Sequence, residues 1–596
     1  MSTFPWLTVA GAIPLAGAIA IGLTPGRSAP GSPADRRARD LLVKRIALVF
    51  SLITLAVTIA MAVEFKAGGP RFQFQQVYQW IPQFGVHYAV GVDGIALVLI
   101  VMTAILMPVV ILASWNDVED VSAATAGSAE AGTTGTAART KPASRMRSVK
   151  AYFAWMMVLE TMMIGVFAAT DVFLFYVFFE AMLVPMYFMI GSFGVGQRQY
   201  AAVKFLLYSL LGGLLMLVAV IALYVYSLHG GTHGTFLFTQ LDHLALTPTV
   251  QKWLFLGFFI AFAIKAPVWP FHTWLPDAAA SAQPGAAVLL VGVLDKVGTF
   301  GMIRYCLDLF PAATHFFTPL IIVLSVIGIL YGAIVAIGQK DMKRLIAYTS
   351  VSHMGLITLG IFVLTSQGGS GATLYMVNHG FATGALFILA GFLISRRKSN
   401  LIDDYGGVQK VAPVLAGLFL IAGLAGLAMP GLSTFVSEFL VLIGTFTRYE
   451  VAAVFATLGI ILAAIYILWM YQRTMTGPVR EEVATMPDLK ARELWAVAPL
   501  IALILFLGIY PKPVLDIINP AVHSTLVGTH SSDPVPPHPA TASSRSASTT
   551  SSLVPAIKGA QHGISVTSLV ARADHPATGV TVRAAAGSIH TQGRSA

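Results

Sequence analysis

WLFLGFFIAFAIKAPVWPFHTWLPD, residues 253–277, begins as an apolar helix long enough to enter a membrane. Lys265 then follows thirteen residues after Lys252. At about 1.5 Å of rise per residue that is roughly 20 Å of depth, past the middle of a hydrocarbon core about 30 Å thick. Pro267 and Pro270 come directly afterwards. Proline removes a backbone donor and turns the preceding residue away from helix. An ammonium group therefore sits beside a helix break deep in a bilayer. A lysine at that depth costs about 2.5–3.5 kcal/mol or more and is found where it is used. Snorkelling to the surface would need a position near a helix end, and broken helices survive at such depth only inside protein or beside water.

The composition agrees. Of 596 residues, 56% are hydrophobic and 11% charged, and the mean hydropathy is +0.77. A soluble domain carries about 25% charged residues, so the chain is an all-α polytopic membrane protein. The net charge of +10 comes from basic residues scattered through loops, which excludes a nucleic-acid footprint. One cysteine, Cys306, excludes an internal disulfide, Cys-ligated iron–sulfur clusters and the usual Cys-rich zinc sites. The first apolar stretch lacks a basic leader and a small-residue cleavage site, so it reads as a retained span.

Apolar runs predict about fourteen spans: about 4–23, 43–65, 94–114, 149–169, 172–194, 201–228, 253–271, 285–309, 317–338, 343–365, 372–396, 412–447, 452–473 and 495–511. Span 12 is too long for one crossing and is interrupted by Met429-Pro430-Gly431, a second expected helix break. The loops after odd-numbered spans hold 24 of the 37 Lys and Arg, and the intervening loops hold 4. That bias puts the odd loops in the cytoplasm and both termini outside. The expected organisation is three N-terminal spans (1–114), a flexible cytoplasmic loop (115–148, rich in Ala, Thr, Gly and Ser), membrane units at 149–310 and 317–473, a last span (495–512) and a largely disordered outer tail (513–596). The tail's histidines are too irregularly spaced to read as a metal site. Gly368-Gly369-Ser370-Gly371 falls in an expected short outer loop with no strand before it, which excludes a dinucleotide-binding reading. With no haem-attachment motif either, redox chemistry belongs on a partner.

Lys265 has company at mid-depth. Glu180 lies in span 5, Lys296 in span 8, His353 in span 10, His379 in span 11, and Glu438 eight residues beyond Pro430. Glu160 in span 4 and Asp295 beside Lys296 extend the set. One such residue reads as a structural hydrogen bond. A set spread over many helices reads as a polar path, because chains of Asp, Glu, His and Lys are what proton relays need. Burial favours the neutral form of Lys and Glu alike, and an opposite charge nearby restores the charged form. A contact between Glu180 and Lys265 that tightens and loosens would therefore switch proton occupancy.

GVDGIALVLIVMTAIL (91–106), DVFLFYVFFEAMLVPMYFMIG (171–191), Lys265 with FHTWLPDA, VGVLDKVGTFGMIRY (291–305), SHMG (352–355) and FVSEFLVLIGTF (435–446) together resemble the antiporter-like membrane subunits of respiratory complex I. The resemblance covers roughly residues 80–510, and Glu438-Phe439-Leu440 points to the M-type branch, since L-type, N-type and many Mrp subunits tend to carry Lys there. The resemblance implies two inverted five-helix repeats, spans 4–8 and 9–13, each with a broken helix, at Pro267 in span 7 and Pro430 in span 12. It implies that Glu180, Lys265, Lys296 and Glu438 carry protons, with His353 and His379 bridging the halves. It implies no cofactor on this chain, with NADH, FMN, iron–sulfur clusters and quinone on partner subunits, and L-like and N-like subunits and lipids as neighbours in a bacterial inner, that is plasma, membrane. The sequence departs from the pattern after LPDA, where Ala279 and Ser281 stand in place of a usual His and Glu, and at Asp295, which replaces an apolar residue and would hold Lys296 charged. A subunit of an Mrp-type Na⁺/H⁺ antiporter or membrane-bound hydrogenase is the alternative within the fold. A structural scaffold of the membrane arm is the alternative outside it.

Overall fold

The computed structural model describes residues 4–25, 32–117, 148–228 and 234–534. It is helical almost throughout and contains no barrel; its one sheet among the described residues is a two-stranded hairpin. Twelve of its helices are long and apolar enough to cross a membrane. They match every predicted span except 7 and 12, the two predicted to be broken, whose pieces fall short of a full crossing or carry polar ends.

Aspartates begin several of these helices. Asp93 starts the span 3 helix (Gly94–Ala113) by accepting from the Ala96 amide at 2.9 Å. Asp171 starts span 5, here Val172–Ala181 continued by Leu183–Gly191, by accepting from Phe173 and Leu174 at 2.9 and 3.0 Å. Asp341 starts span 10 (Met342–Phe362) through the Arg344 amide at 2.9 Å. Each satisfies a donor that the first helical turn leaves open.

Span 7 runs as a helix from Pro248 to Lys265, turns through Phe271–Thr273, and resumes over Trp274–Ser281. The Trp274 indole donates to the Ile264 carbonyl at 2.8 Å, which the break would otherwise leave open. Span 12 is Pro413–Gly426 followed by Ser433–Phe446, and the Thr434 hydroxyl donates back to the Ala425 carbonyl across the gap. Gly431 in that gap has φ +90°, a conformation that a side chain would strain. Span 8 is bent differently. Its middle turn, Asp295–Gly301, is α-helical, but Leu290–Leu294 before it and Met302–Leu307 after it are π-helical. Such widened turns release carbonyls from the regular ladder and favour functional sites.

The helices separate into inner and outer sets. All of the apolar window of span 8 is buried, as is 94% of that of spans 10 and 11, against 28% for span 2 and 33% for spans 1 and 13. The inner helices carry Lys296, His353 and His379. The outer ones turn Leu211, Val218, Val323, Ile334, Val454 and Ile461 outward, as lipid tails or apolar neighbours require.

Three readings of the sequence change. Residues 73–92 form an unforeseen antiparallel hairpin, β1 (Gln73–Ile81) and β2 (Val86–Val92), tied to span 5 by the His87 amide donating to Asp171 at 3.0 Å. Gly368-Gly369-Ser370-Gly371 is not an outer loop but the first turns of span 11 (Ser366–Arg397). A Cβ on Gly371 would come within 2.8 Å of Leu440 and the Val441 amide, so the glycines serve close packing of spans 11 and 12. The tail expected from 513 begins instead with a helix, Lys512–Gly528, which buries Ile518, Val522 and Leu526. The tail beyond residue 534 and the loop at 118–147 lie outside the described residues.

Candidate proton-transfer site

Lys296 is fully buried, and so is Asp295. The ammonium donates to the Val291 carbonyl at 2.6 Å, within the π-helical turn, and meets His379 Nδ1 at 2.5 Å. Asp295 Oδ1 lies 2.9 Å away as an ion-pair contact. An ammonium has no lone pair to accept with, so His379 Nδ1 is the acceptor here. Nε2 then carries the ring hydrogen and donates to Ser350 Oγ at 3.0 Å. The Lys296 ammonium thereby sets the tautomer of His379, and the Ser350 hydroxyl accommodates it.

Beyond His379 the contacts become ring packing. His353 lies 5.3 Å away between ring centroids, at 88°. Tyr375, one turn before His379 on the same helix, is 5.7 Å from His353 and 6.2 Å from His379. Its hydroxyl donates to Glu438 Oε1. Asn378 donates to the Ser433 carbonyl at 2.6 Å and holds the second half of span 12 against span 11. Lys296, His379, His353, Tyr375 and Glu438 thus form one buried line across spans 8, 10, 11 and 12.

The other two expected residues stand apart from this line. Lys265 Nζ has no hydrogen-bond partner among the described residues and sits 4.7 Å above the Phe179 ring. Glu180, the next residue after Phe179, has an unpartnered Oε1 and packs on Gly213 of span 6. The two form no ion pair, so the contact expected between them is open in this arrangement. Glu160 is fully buried with both oxygens unpartnered.

On the side that the loop charges assign to the cytoplasm, Asp277 pairs with Lys204 and Arg344, each at 2.7 Å. Asp277 and Arg344 border a cavity of about 810 Å³ lined also by Tyr200, Ser281, Asp341 and Lys343. Lys343, at the start of span 10, is buried and donates to the Ala282 carbonyl at 3.0 Å. Sequence reasoning missed Tyr375, Asn378 and Ser350. Tyr375 had a usable signal: it stands four residues before His379, on the same helix face.

Residues 169–465 match the family model described as NADH:quinone oxidoreductase/Mrp antiporter, TM. The chain is 53% identical over 560 residues to NADH-quinone oxidoreductase subunit M of Mycobacterium tuberculosis, covering 92% of this chain and 99% of that one. It is 40% identical over 529 residues to subunit M of Rhodobacter capsulatus, covering 87% and 96%. Among solved structures it is similar to a chain of respiratory complex I from Thermus thermophilus with bound NADH, at a TM-score of 0.73 and 30% identity over 88% of this chain and 99% of that chain. With 53% identity along nearly the whole of a subunit M, and the fold of a complex I membrane chain, this protein belongs to the family of NADH-quinone oxidoreductase subunit M, the antiporter-like membrane subunits of respiratory complex I.

Proposed function

We propose that this chain translocates protons as the M-type membrane subunit of a respiratory NADH:quinone oxidoreductase. The observation that carries this reading is the buried line from Lys296 through His379, His353 and Tyr375 to Glu438, set in the most enclosed helices of the molecule. A proton leaving Lys296 has an acceptor already in place at His379 Nδ1. On the far side, Glu438 is held by the Tyr375 hydroxyl. Glu180 and Lys265 supply the entry side. When energy released in partner subunits brings Glu180 toward Lys265, the pair holds its charges; when the contact opens, the ammonium has no partner and gives up its proton. Moving one charge against 100 mV costs about 2.3 kcal/mol, so each step has to be driven by such a change in pairing.

In this reading the chain binds no NADH, FMN, iron–sulfur cluster or quinone. It assembles with L-like and N-like subunits in the bacterial plasma membrane, with fourteen crossings and both termini outside the cytoplasm. Its two five-helix units repeat in inverted orientation, as ion-transporting folds commonly do. The test is proton pumping by the whole complex in sealed membrane vesicles. Lys265→Ala and Glu438→Ala are expected to abolish NADH-driven pumping while the complex still assembles. Normal proton-to-electron stoichiometry in either variant would sink the proposal.

A further inference from the structure

We propose that Asp295 is itself a catalytic, proton-carrying residue: it takes up the incoming proton and passes it to Lys296 after Lys296 has protonated His379. The inference rests on the proton path proposed above and adds a member to it.

Neighbouring residues of a helix do not ordinarily face each other, yet Asp295 Oδ1 and Lys296 Nζ are 2.9 Å apart with both side chains fully enclosed. A structural ion pair in the same chain looks different. Asp93 uses both oxygens, one on the Ala96 amide at 2.9 Å and one on Arg304 at 2.6 Å. Asp295 has no second cation and caps no other turn: its carboxylate meets only Lys296 and the backbone amides at its own position. Its charge is balanced by Lys296 alone, through the 2.9 Å contact. If Lys296 gave its proton to His379 with Asp295 still ionised, an isolated carboxylate would be left in a dry interior, which is strongly unfavourable. The pair therefore releases a proton readily only after gaining one.

The step balances as follows. The Asp295 carboxylate accepts a proton, so the pair carries one positive charge. Lys296 then gives an N–H proton to the lone pair on His379 Nδ1, forming a neutral amine and an imidazolium. The Asp295 O–H proton moves to the amine nitrogen and restores carboxylate and ammonium. One proton has entered and one has moved on. The helix that carries Lys265 packs close by: a Cβ on Gly298, three residues beyond Asp295, would come within 2.5 Å of the Phe262 carbonyl and 2.6 Å of the Ala266 amide, which flank Lys265.

The test uses the assembled complex. Asp295→Asn and Asp295→Leu are expected to lower NADH-driven proton pumping about tenfold or more, and Asp295→Glu to retain most of it. The redox-induced infrared difference spectrum should contain a carboxylic-acid C=O band that shifts in heavy water and is missing in Asp295→Asn. Wild-type pumping in Asp295→Asn, or an unchanged band, overturns the proposal. If Asp295→Asn fails to assemble, Asp295→Glu decides, because the band must move with the longer side chain and an unmoved band overturns the assignment. Lys296→Ala separates the two levels. If it pumps normally, the path itself is wrong; if it is inactive while both Asp295→Asn and Asp295→Leu pump normally, only the role of Asp295 is wrong.

Discussion

Replacing Gly213 by alanine should slow proton pumping by about tenfold without touching any titratable residue. Gly213 lies on span 6 (Arg198–Leu228), against Glu180 of span 5. A Cβ at this position would fall on the Glu180 carboxylate, overlapping Oε1 and Cδ and lying within 2.9 Å of Oε2. The backbone of span 6 is fixed by its own ladder, so the carboxylate has to move. Overpacking costs about 1–3 kcal/mol, and the lower half of that range applies because what must give is the flexible end of a side chain. At about 1.4 kcal/mol per factor of ten, the native position of the carboxylate loses about tenfold in occupancy. If the position of Glu180 relative to Lys265 sets the rate of proton entry, pumping falls by a like factor. Fluorescence quenching of a pH-sensitive dye in inverted vesicles, at matched complex content, reads this directly. Gly417→Ala serves as the control, because a Cβ there meets nothing within 4 Å. Adding Glu180→Asp to Gly213→Ala shortens the crowded side chain by one bond and should recover part of the rate. Unchanged pumping in Gly213→Ala would refute the argument, since the carboxylate would then work equally well from a different place.

Two further substitutions probe the two kinds of buried polar contact. Tyr375→Phe removes the only side-chain donor to Glu438 Oε1 among the described residues; a hydrogen bond to a charged group contributes about 1.5–3 kcal/mol, so pumping should fall by roughly ten-fold or more with assembly unchanged on native gels, and a full rate would remove Tyr375 from the line. Arg304→Leu strands Asp93, which is buried and paired with Arg304 at 2.6 Å. The loss should be about 3–5 kcal/mol, seen as reduced assembly and a lower melting temperature of the purified complex. Adding Asp93→Asn, which removes the stranded charge, should recover much of it; no recovery would locate the effect in the packing of Arg304 on Phe72, 4.6 Å from its ring.

What could be read in advance follows from which physical signals are local. Lys265 and Pro267 lie two residues apart, so the broken helix and its buried charge were visible together. Twelve of the expected spans could be placed for the same reason, since the cost of an unpaired backbone in lipid imposes long apolar runs. The hairpin at 73–92 escaped because its pairing partners are separated by a turn and its outward residues carry no apolar alternation strong enough to stand out among apolar helices. The glycines at 368–371 were misread because glycine marks loops in water, whereas between membrane helices it marks close approach. For the site, residue types were legible but pairings were not. Nothing local says that Lys296 meets His379, 83 positions away, or that Glu438 meets Tyr375, 63 positions away. Those contacts depend on two distortions: the π-helical turn that frees the Val291 carbonyl for Lys296, which has no clear sequence signature, and the gap before Ser433, which Pro430 marks without showing that it sets the second half of span 12 against span 11. The same reasoning separates Asp295 from the other buried charges. Its partner is adjacent in the chain, so the pair was visible from the start; that both side chains are fully enclosed and that Lys296 is the one cation on Asp295 was not, and that isolation is what distinguishes a residue able to carry a proton from one that merely balances a charge.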